Sequence, residues 1–267
     1  MKNLFIREMR RNAKSFLIWL VILSAINVSM FAAFGAVAEM AKNTEAMLSQ
    51  YPEAFVKAMS LDKFDMTNIL HYFASRSYIL ITLFGSIYAV MLSSCILSKE
   101  ESEKTVEFLI SKPITRSEIV SAKFMCVSLY VFLFNLLFSC INYISMQVFK
   151  TSDFGIEPFL LISIGSFLIH FIFAALGFFL SVFITETRSI ISVSFGLVFI
   201  TYFFSIMASV NENMSFLAYF SPFSYFNAES LVVNSTLEIK YLFISLLLIF
   251  TSVGLSYLFY SKKNISA

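Results

Sequence analysis

The sequence predicts an all-α integral membrane protein, a bundle of six transmembrane helices. The first observation behind this prediction is composition, because 58% of the 267 residues are hydrophobic and 13% are charged. A soluble domain has roughly 45–50% hydrophobic and about 25% charged residues. The second observation is that six apolar stretches reach the length of about 20 residues that a helix needs to cross a bilayer. Such a chain has too few polar groups to cover its apolar surface in water, so the composition argues against a soluble fold.

The six predicted spans account for most of the chain, which we treat as a single transmembrane domain over residues 1–267. They cover residues 16–37, 78–97, 124–149, 159–184, 190–210 and 241–260. Basic residues precede the first span, as in a signal peptide. Its apolar run exceeds the roughly 7–15 residues of a signal peptide, however, and predicts a retained helix. Residues 38–77 and 211–240 are predicted loops on the outer side of the membrane.

The distribution of lysine and arginine predicts the side of the membrane on which each loop lies. With the N-terminus inside, 13 of the 19 basic residues fall in cytoplasmic segments, and the outer loop over 38–77 mixes its basic residues with five acids. We therefore expect a multi-pass protein of the cell membrane, from a bacterial source, with both termini in the cytoplasm. The formal net charge of +2 reflects this sidedness and indicates no nucleic-acid partner.

Residues 1–15 are predicted to form an amphipathic helix that lies in the membrane interface. Its apolar side, facing the acyl chains, carries Phe5, Ile6, Met9 and Ala13. Its cationic side, facing anionic lipid headgroups, carries Arg7, Arg10, Arg11 and Lys14. The alternative is that these four cations belong to an unstructured tail and only enforce the inside orientation.

A cytoplasmic segment over residues 98–123 connects the second and third spans. At 100° per residue, Glu100, Glu103 and Glu107 share one face of a short helix whose other face is apolar. Pro113 ends this helix because proline lacks an N–H and disfavours helix at the preceding residue. The sequence Thr115-Arg-Ser-Glu118 is a capping box that begins the next span. The segment fits a contact with a soluble partner, although a solvated loop that only connects two spans would show the same charges.

This segment resembles the signature of the permeases of type-2 ATP-binding-cassette (ABC) exporters. That family carries Gly-Thr-x-Glu-x-Leu-Leu-Ser-x-Pro-[Ile/Val]-[Ser/Thr]-Arg after its second span. The present chain carries Lys104-Thr-Val-Glu-Phe-Leu-Ile-Ser-Lys-Pro-Ile-Thr-Arg116, with Lys104 in place of the usual glycine. The stretch Ser221-Pro-Phe before the last span is similar to one that these permeases carry outside. Together with the six spans, the resemblance covers the whole chain and implies the ABC-2 type permease fold.

The resemblance implies a half-transporter. Two permease chains, identical or homologous, would pair around a central path, and two copies of a separate ATPase subunit would bind ATP and Mg²⁺ and dock on the cytoplasmic side. The chain itself has no G-x-x-x-x-G-K-[ST] phosphate loop, so we expect it to bind no cofactor and to hydrolyse no ATP. The residues that the resemblance assigns to coupling with the ATPase are Glu100, Glu101, Glu103, Glu107, Pro113 and Arg116.

Two other classes of protein remain as alternatives. A secondary transporter or channel normally has ionisable groups inside the membrane, and here only His170 lies well inside a span. The uncharged polar residues there are Asn27, Asn135 and Asn142. All four serve either as a relay or as hydrogen bonds between helices. An intramembrane protease would need a motif such as Glu-Glu-x-x-x-Arg, but Thr105 stands where the arginine should follow Glu100-Glu101.

The sequence predicts the substrate only as a class. No outer loop is long enough for a folded domain, and residues 51–60 form a predicted helix that either caps an exit path or packs on the bundle. Small polar positions among aromatic walls suit an amphipathic or hydrophobic cargo, such as an antimicrobial peptide, a drug or a lipid. These candidate path residues are Ser86, Ser93, Ser192, Thr201 and Ser205. The cysteines Cys95, Cys126 and Cys140 are predicted to pack in helices, and no metal site is expected.

Overall fold

The computed structural model of the protein describes residues 2–41, 64–103 and 114–263, and within these ranges it contains helices and no strands. In chain order the helices are α1 (Lys2–Ala32), α2 (Phe34–Ala41), α3 (Ile69–Ser102), α4 (Arg116–Phe149), α5 (Ile156–Phe183), α6 (Thr187–Val210), α7 (Pro222–Tyr225) and α8 (Ile239–Lys262). A 3₁₀ helix, Glu212–Phe220, precedes α7. Helices α1, α3, α4, α5, α6 and α8 are long and apolar enough to cross a membrane, which confirms the predicted six-span all-α fold.

The N-terminal helix differs from the prediction. Residues 2–15 do not form a separate interfacial helix but are the first turns of α1, which continues without interruption into the first span. No glycine or proline occurs before Gly35, so nothing in the sequence breaks the helix there. Met9, predicted to face acyl chains, instead packs on α4, where its carbonyl accepts a hydrogen bond from the Tyr130 hydroxyl. The Sγ atom of Cys126, also on α4, lies 3.5 Å from the Sδ atom of Met9.

Helices α3 and α5 form the centre of the bundle, and glycine allows them to pack closely. A Cβ atom at Gly177 of α5 would lie 2.3 Å from Ser93 Oγ and 2.9 Å from the carbonyl oxygen of Val90. A Cβ atom at Gly85 of α3 would lie 2.3 Å from the imidazole ring of His170. Neither position has room for a side chain, so the two helix backbones approach each other directly. Small residues are the usual means of close approach between spanning helices.

Polar residues inside the spans form hydrogen bonds between helices. The side chain of Asn27 on α1 donates to Asn142 Oδ1 on α4. On α5, the Nδ1 atom of His170 lies 2.9 Å from Asn135 Oδ1 of α4, and its Nε2 atom lies 3.2 Å from the Ile81 carbonyl oxygen of α3. His170 therefore joins three helices at the centre of the bundle, which is the structural alternative to a relay.

The two ends of the bundle differ in character. The start of α1, the end of α3, the start of α4 and the end of α8 meet at one end, which we call the charged end because ion pairs connect them. At the opposite end, the Tyr78 hydroxyl donates to the Phe226 carbonyl at 2.7 Å, and Phe223 packs on Phe173 with ring centroids 5.1 Å apart. The Ser221-Pro-Phe stretch thus lies at the end opposite to the last turn of α3 and the first turn of α4.

Candidate functional site

Four charged side chains form a compact group at the charged end. The Lys123 ammonium contacts the Glu100 carboxylate and lies 3.6 Å from Glu8 Oε1. The Arg7 guanidinium lies 2.8 Å from Glu100 Oε1 and 3.3 Å from Glu8 Oε1. Lys123, Glu8 and Glu100 are 0%, 2% and 3% exposed, whereas Arg7 reaches the surface. We call Arg7, Glu8, Glu100 and Lys123 the charged cluster; its two cations balance its two anions.

The positions of these residues in their helices explain why they meet. Glu8 follows Leu4 by one helical turn, and both point from α1 into the bundle. Glu100 lies in the last turn of α3, where the helix dipole disfavours a carboxylate. Lys123 comes two turns after the start of α4 and also donates to the Ile96 carbonyl of α3. A buried charge is stable only when it is paired, so each member of the charged cluster depends on the others.

Three further contacts surround the charged cluster and involve the residues on either side of 104–113. Arg11 Nη2 lies 2.6 and 2.7 Å from the two Glu103 carboxylate oxygens. Lys263 Nζ lies 2.6 and 2.7 Å from those of Glu101. The Arg116 guanidinium donates to the carbonyls of Ser261 and Lys263, at 3.1 and 2.6 Å. Side chains and backbone from both ends of the chain therefore hold the two points at which segment 104–113 begins and ends.

The predicted capping box at the start of α4 is confirmed. The Glu118 N–H donates to Thr115 Oγ1 at 3.2 Å, and the Thr115 N–H donates to Glu118 Oε2 at 2.8 Å. A cap of this kind stabilises a helix by about 0.5–2 kcal/mol. It defines the first residue of α4, Arg116.

The predicted coupling residues separate into groups. Glu100 and Glu103 were expected on one partner-facing side of a helix, but Glu100 is 3% exposed and Glu103 46% exposed. Both carboxylates bond to α1, through Arg7 and Arg11, so they share a face, but Glu100 is buried against Lys123 and does not face outward as expected. Glu101 and Arg116 make intramolecular contacts with the end of the chain. Glu107 and Pro113 lie outside the described residues, and their assignment to coupling stays a prediction.

The four cations assigned to the membrane interface also separate. Arg7 belongs to the charged cluster and Arg11 pairs with Glu103, so both bond to carboxylates of α3, although Arg7 also reaches the surface. Arg10 and Lys14 are exposed. The sequence did not predict the ion pairs of Arg7 and Arg11, because helical periodicity within α1 does not show where α3 lies.

Sequence reasoning missed Glu8, Lys123 and Lys263 as members of this site. Two signals were available: Glu8 is the only acid before Glu39, in a segment dominated by cations, and Lys123 stands at the edge of an apolar span. At position 8 the neighbouring residues predict a positive charge, and at position 123 they predict no charge. Such charges require partners, but the sequence does not say which.

The five candidate path residues lie on two helices, α3 and α6, in different surroundings. Ser86 and Ser93 are fully buried on α3, with Ser93 against α5. Ser192 is exposed on α6, Thr201 bonds to the carbonyls of its own helix, and Ser205 accepts a hydrogen bond from Ser224. None of them lines the small cavity between α1 and α3 in the described part of the chain. Among the residues with described positions, no three His, Cys, Asp or Glu side chains form a group that could hold a metal ion.

The fold and the charged cluster define a class: a multi-pass membrane protein whose helix ends are joined by buried ion pairs at one end of the bundle. A family model described as ABC-2 family transporter protein matches residues 3–265. The chain therefore belongs to the ABC-2 transporter family and is a permease component of an ABC transporter. Membership of this family implies an ABC ATPase as a partner. A comparison with curated proteins finds no match.

Proposed function

We propose that the chain is the permease subunit of an ABC exporter. It pairs with a second permease chain, identical or homologous, and two copies of a separate ATPase subunit bind at the charged end, which faces the cytoplasm. The orientation rests on the concentration of lysine and arginine in the segments at this end. The permease itself contributes no ATP hydrolysis, since its sequence has no phosphate loop.

The observation that carries this proposal is the support of segment 104–113 by contacts at both of its ends. Glu103 is bonded to Arg11 of α1, and Arg116 is bonded to backbone carbonyls at the end of α8. Between them, the charged cluster connects α1, α3 and α4. A displacement of segment 104–113 by a bound ATPase would thus be transmitted to four spanning helices. A loose connecting loop would absorb the same displacement.

The proposed substrate is an amphipathic or hydrophobic molecule, such as an antimicrobial peptide, a drug or a lipid. The support is that the predicted outer loops are too short for a folded domain that would carry cargo away from the membrane. The cargo is then delivered to the bilayer or removed from it. A transport assay with everted vesicles and an amphipathic dye, compared with a hydrophilic dye, tests this class directly.

Docking of the ATPase is tested by charge reversal within segment 104–113. We expect Glu107→Lys to abolish co-purification of the ATPase from membranes, because a reversed charge at an interface replaces attraction with repulsion. The matched control is Glu212→Lys, an exposed acid of the 3₁₀ helix at the opposite end of the bundle. Equal recovery of ATPase with both variants would remove the coupling role from this segment.

The Pro113→Ala variant tests whether binding of the ATPase is separate from transmission of its movement to the spanning helices. Because alanine allows a helix to continue where proline ends it, this change should leave the ATPase bound but weaken transport more than assembly. Purified permease alone should show no ATP hydrolysis in the same preparation. ATP hydrolysis by the permease after removal of the ATPase subunit would contradict the proposal that the ATPase subunit alone hydrolyses ATP.

A further inference from the structure

The cations in the first turns of α1 divide into an inward pair and an outward pair. Arg7 and Arg11 are bonded to Glu100 and Glu103 of α3. Arg10 and Lys14 are exposed, and in the described chain no acidic side chain contacts either of them. Two positive charges therefore stand on the side of α1 that faces away from the bundle.

The outward cations continue an apolar stripe of the first span. At 100° per residue, positions 10, 14, 17 and 21 fall within about 60° of one helix face. Leu17 and Val21 on this stripe are 54% and 62% exposed. Since α1 is one continuous helix rising 1.5 Å per residue, Lys14 stands about 5 Å and Arg10 about 10 Å beyond Leu17 along the helix axis. That is the height of phospholipid headgroups when Leu17 lies at the edge of the acyl region.

We propose that Arg10 and Lys14 form a binding site for an anionic phospholipid. The lipid phosphate accepts hydrogen bonds from both side chains, and the acyl chains lie along Leu17 and Val21. Arginine suits the phosphate because its planar guanidinium offers parallel N–H donors, and lysine reaches the headgroup with its flexible stem. The occupant is a lipid because a cationic turn directly above an exposed apolar stripe matches the charge and polarity profile of one anionic lipid leaflet.

The test uses tryptophan fluorescence, because Trp19 is the only tryptophan and faces the bundle, with its ring centroid 6.0 Å from that of Tyr88. In a Trp19→Phe background, Leu17→Trp places a reporter on the stripe. The full chain is reconstituted in mixtures of phosphatidylglycerol and phosphatidylcholine, and one of the two lipids carries brominated acyl chains. Bromine quenches the tryptophan fluorescence on contact, so the quenching reports which lipid lies at the reporter. Each cation should increase the affinity for an anionic lipid about fivefold. With two cations, we expect phosphatidylglycerol to be preferred over phosphatidylcholine about 25-fold at the reporter. Arg10→Gln with Lys14→Gln should reduce this preference to near 1.

Two controls make the result specific. A Leu247→Trp reporter on the exposed side of α8, in the same Trp19→Phe background, should show an unchanged lipid preference after the Arg10 and Lys14 substitutions. Arg10→Lys with Lys14→Arg should retain the preference at Leu17, because the charges remain. A preference that survives loss of both cations would overturn the proposal. So would a Leu17→Trp reporter that neither brominated lipid quenches, since this face of α1 would then be covered by protein, such as a second permease copy.

Discussion

Lys123 shows how the stability of this bundle depends on single charges. Its ammonium group is fully buried and is stabilised by two carboxylates and by the carbonyl oxygen of Ile96. Removing one partner of a buried ion pair usually costs more than removing both, because the remaining charge stays buried without compensation. The charged cluster is therefore a site where a single substitution has a larger effect than a paired one.

We predict that Lys123→Met destabilises the protein by about 3–5 kcal/mol, because Glu100 and Glu8 are left with Arg7 as their shared cation. The measurement is unfolding in mixed micelles, followed by accessibility of the buried Cys126 thiol. Lys240→Met serves as the control, since Lys240 forms an exposed pair with Glu238. Its loss should cost at most about 1 kcal/mol.

The double variant Lys123→Met with Glu100→Gln should recover a large part of this loss. In it, Arg7 and Glu8 still neutralise each other, and the cluster again has no net charge. A double variant less stable than Lys123→Met alone would show that Glu100 does not depend on Lys123, contrary to the arrangement of the cluster.

At the scale of elements, the ion pair between Arg11 of α1 and Glu103 at the end of α3 lies at the surface. Substitutions in this pair should therefore affect function with little effect on folding stability. We predict that Arg11→Glu alone changes stability by no more than about 1 kcal/mol. Substrate-stimulated ATPase activity of the assembled transporter should nevertheless fall, because like charges push Glu103, the last described residue before segment 104–113, away from α1.

The exchanged pair, Arg11→Glu with Glu103→Arg, should restore that activity, since attraction returns with the charges in reversed positions. ATP hydrolysis by the assembled complex, with and without substrate, is the readout. Failure of the exchange to restore activity, with the single variant impaired, would indicate that Arg11 acts through a partner protein and not through Glu103.

The packing of α3 against α5 gives a second prediction at this scale. Gly177→Ala should destabilise the protein by about 1–3 kcal/mol, because the new methyl group meets the Val90 carbonyl and the helices have to separate. Gly196→Ala on α6 is the matched control, as a Cβ atom there has nothing within 4 Å. Thermal inactivation curves of the two purified variants give the comparison. Similar midpoints for both would contradict the close approach of α3 and α5.

At the scale of the whole molecule, the charged end is expected in the cytoplasm. In a chain without its three native cysteines, Lys42→Cys and Ser60→Cys should react with an impermeant maleimide from outside intact cells. Lys104→Cys should react only after the cells are opened. All three positions lie outside the described residues, so the experiment also tests loop positions that the structure does not describe. Labelling of Lys104→Cys in intact cells would reverse the orientation.

The sequence alone determined the number and the approximate positions of the spanning helices, although α1, α3 and α4 begin 8 to 14 residues before the predicted spans. Each needs about 20 consecutive apolar residues with every backbone group bonded within its own segment, and this requirement is visible in one dimension. For the same reason the capping box at Thr115 and Glu118 was predictable, since both residues belong to one helical turn. The family signature over residues 104–116 also depends only on local order in the chain, and the family match over residues 3–265 agrees with it.

Only the tertiary structure decided which charges face each other. Glu8 lies 92 positions from Glu100 along the chain and 115 from Lys123, yet the three share one buried site. Helical periodicity assigns a face within each helix but not the neighbour of that face. Arg7 and Arg10 look equivalent in the sequence, although Arg7 pairs with Glu100 of α3 and Arg10 contacts no acidic side chain in the described part of the chain. The physical reason is that the energy of a charge depends on its surroundings in space, and helix packing alone brings those surroundings together.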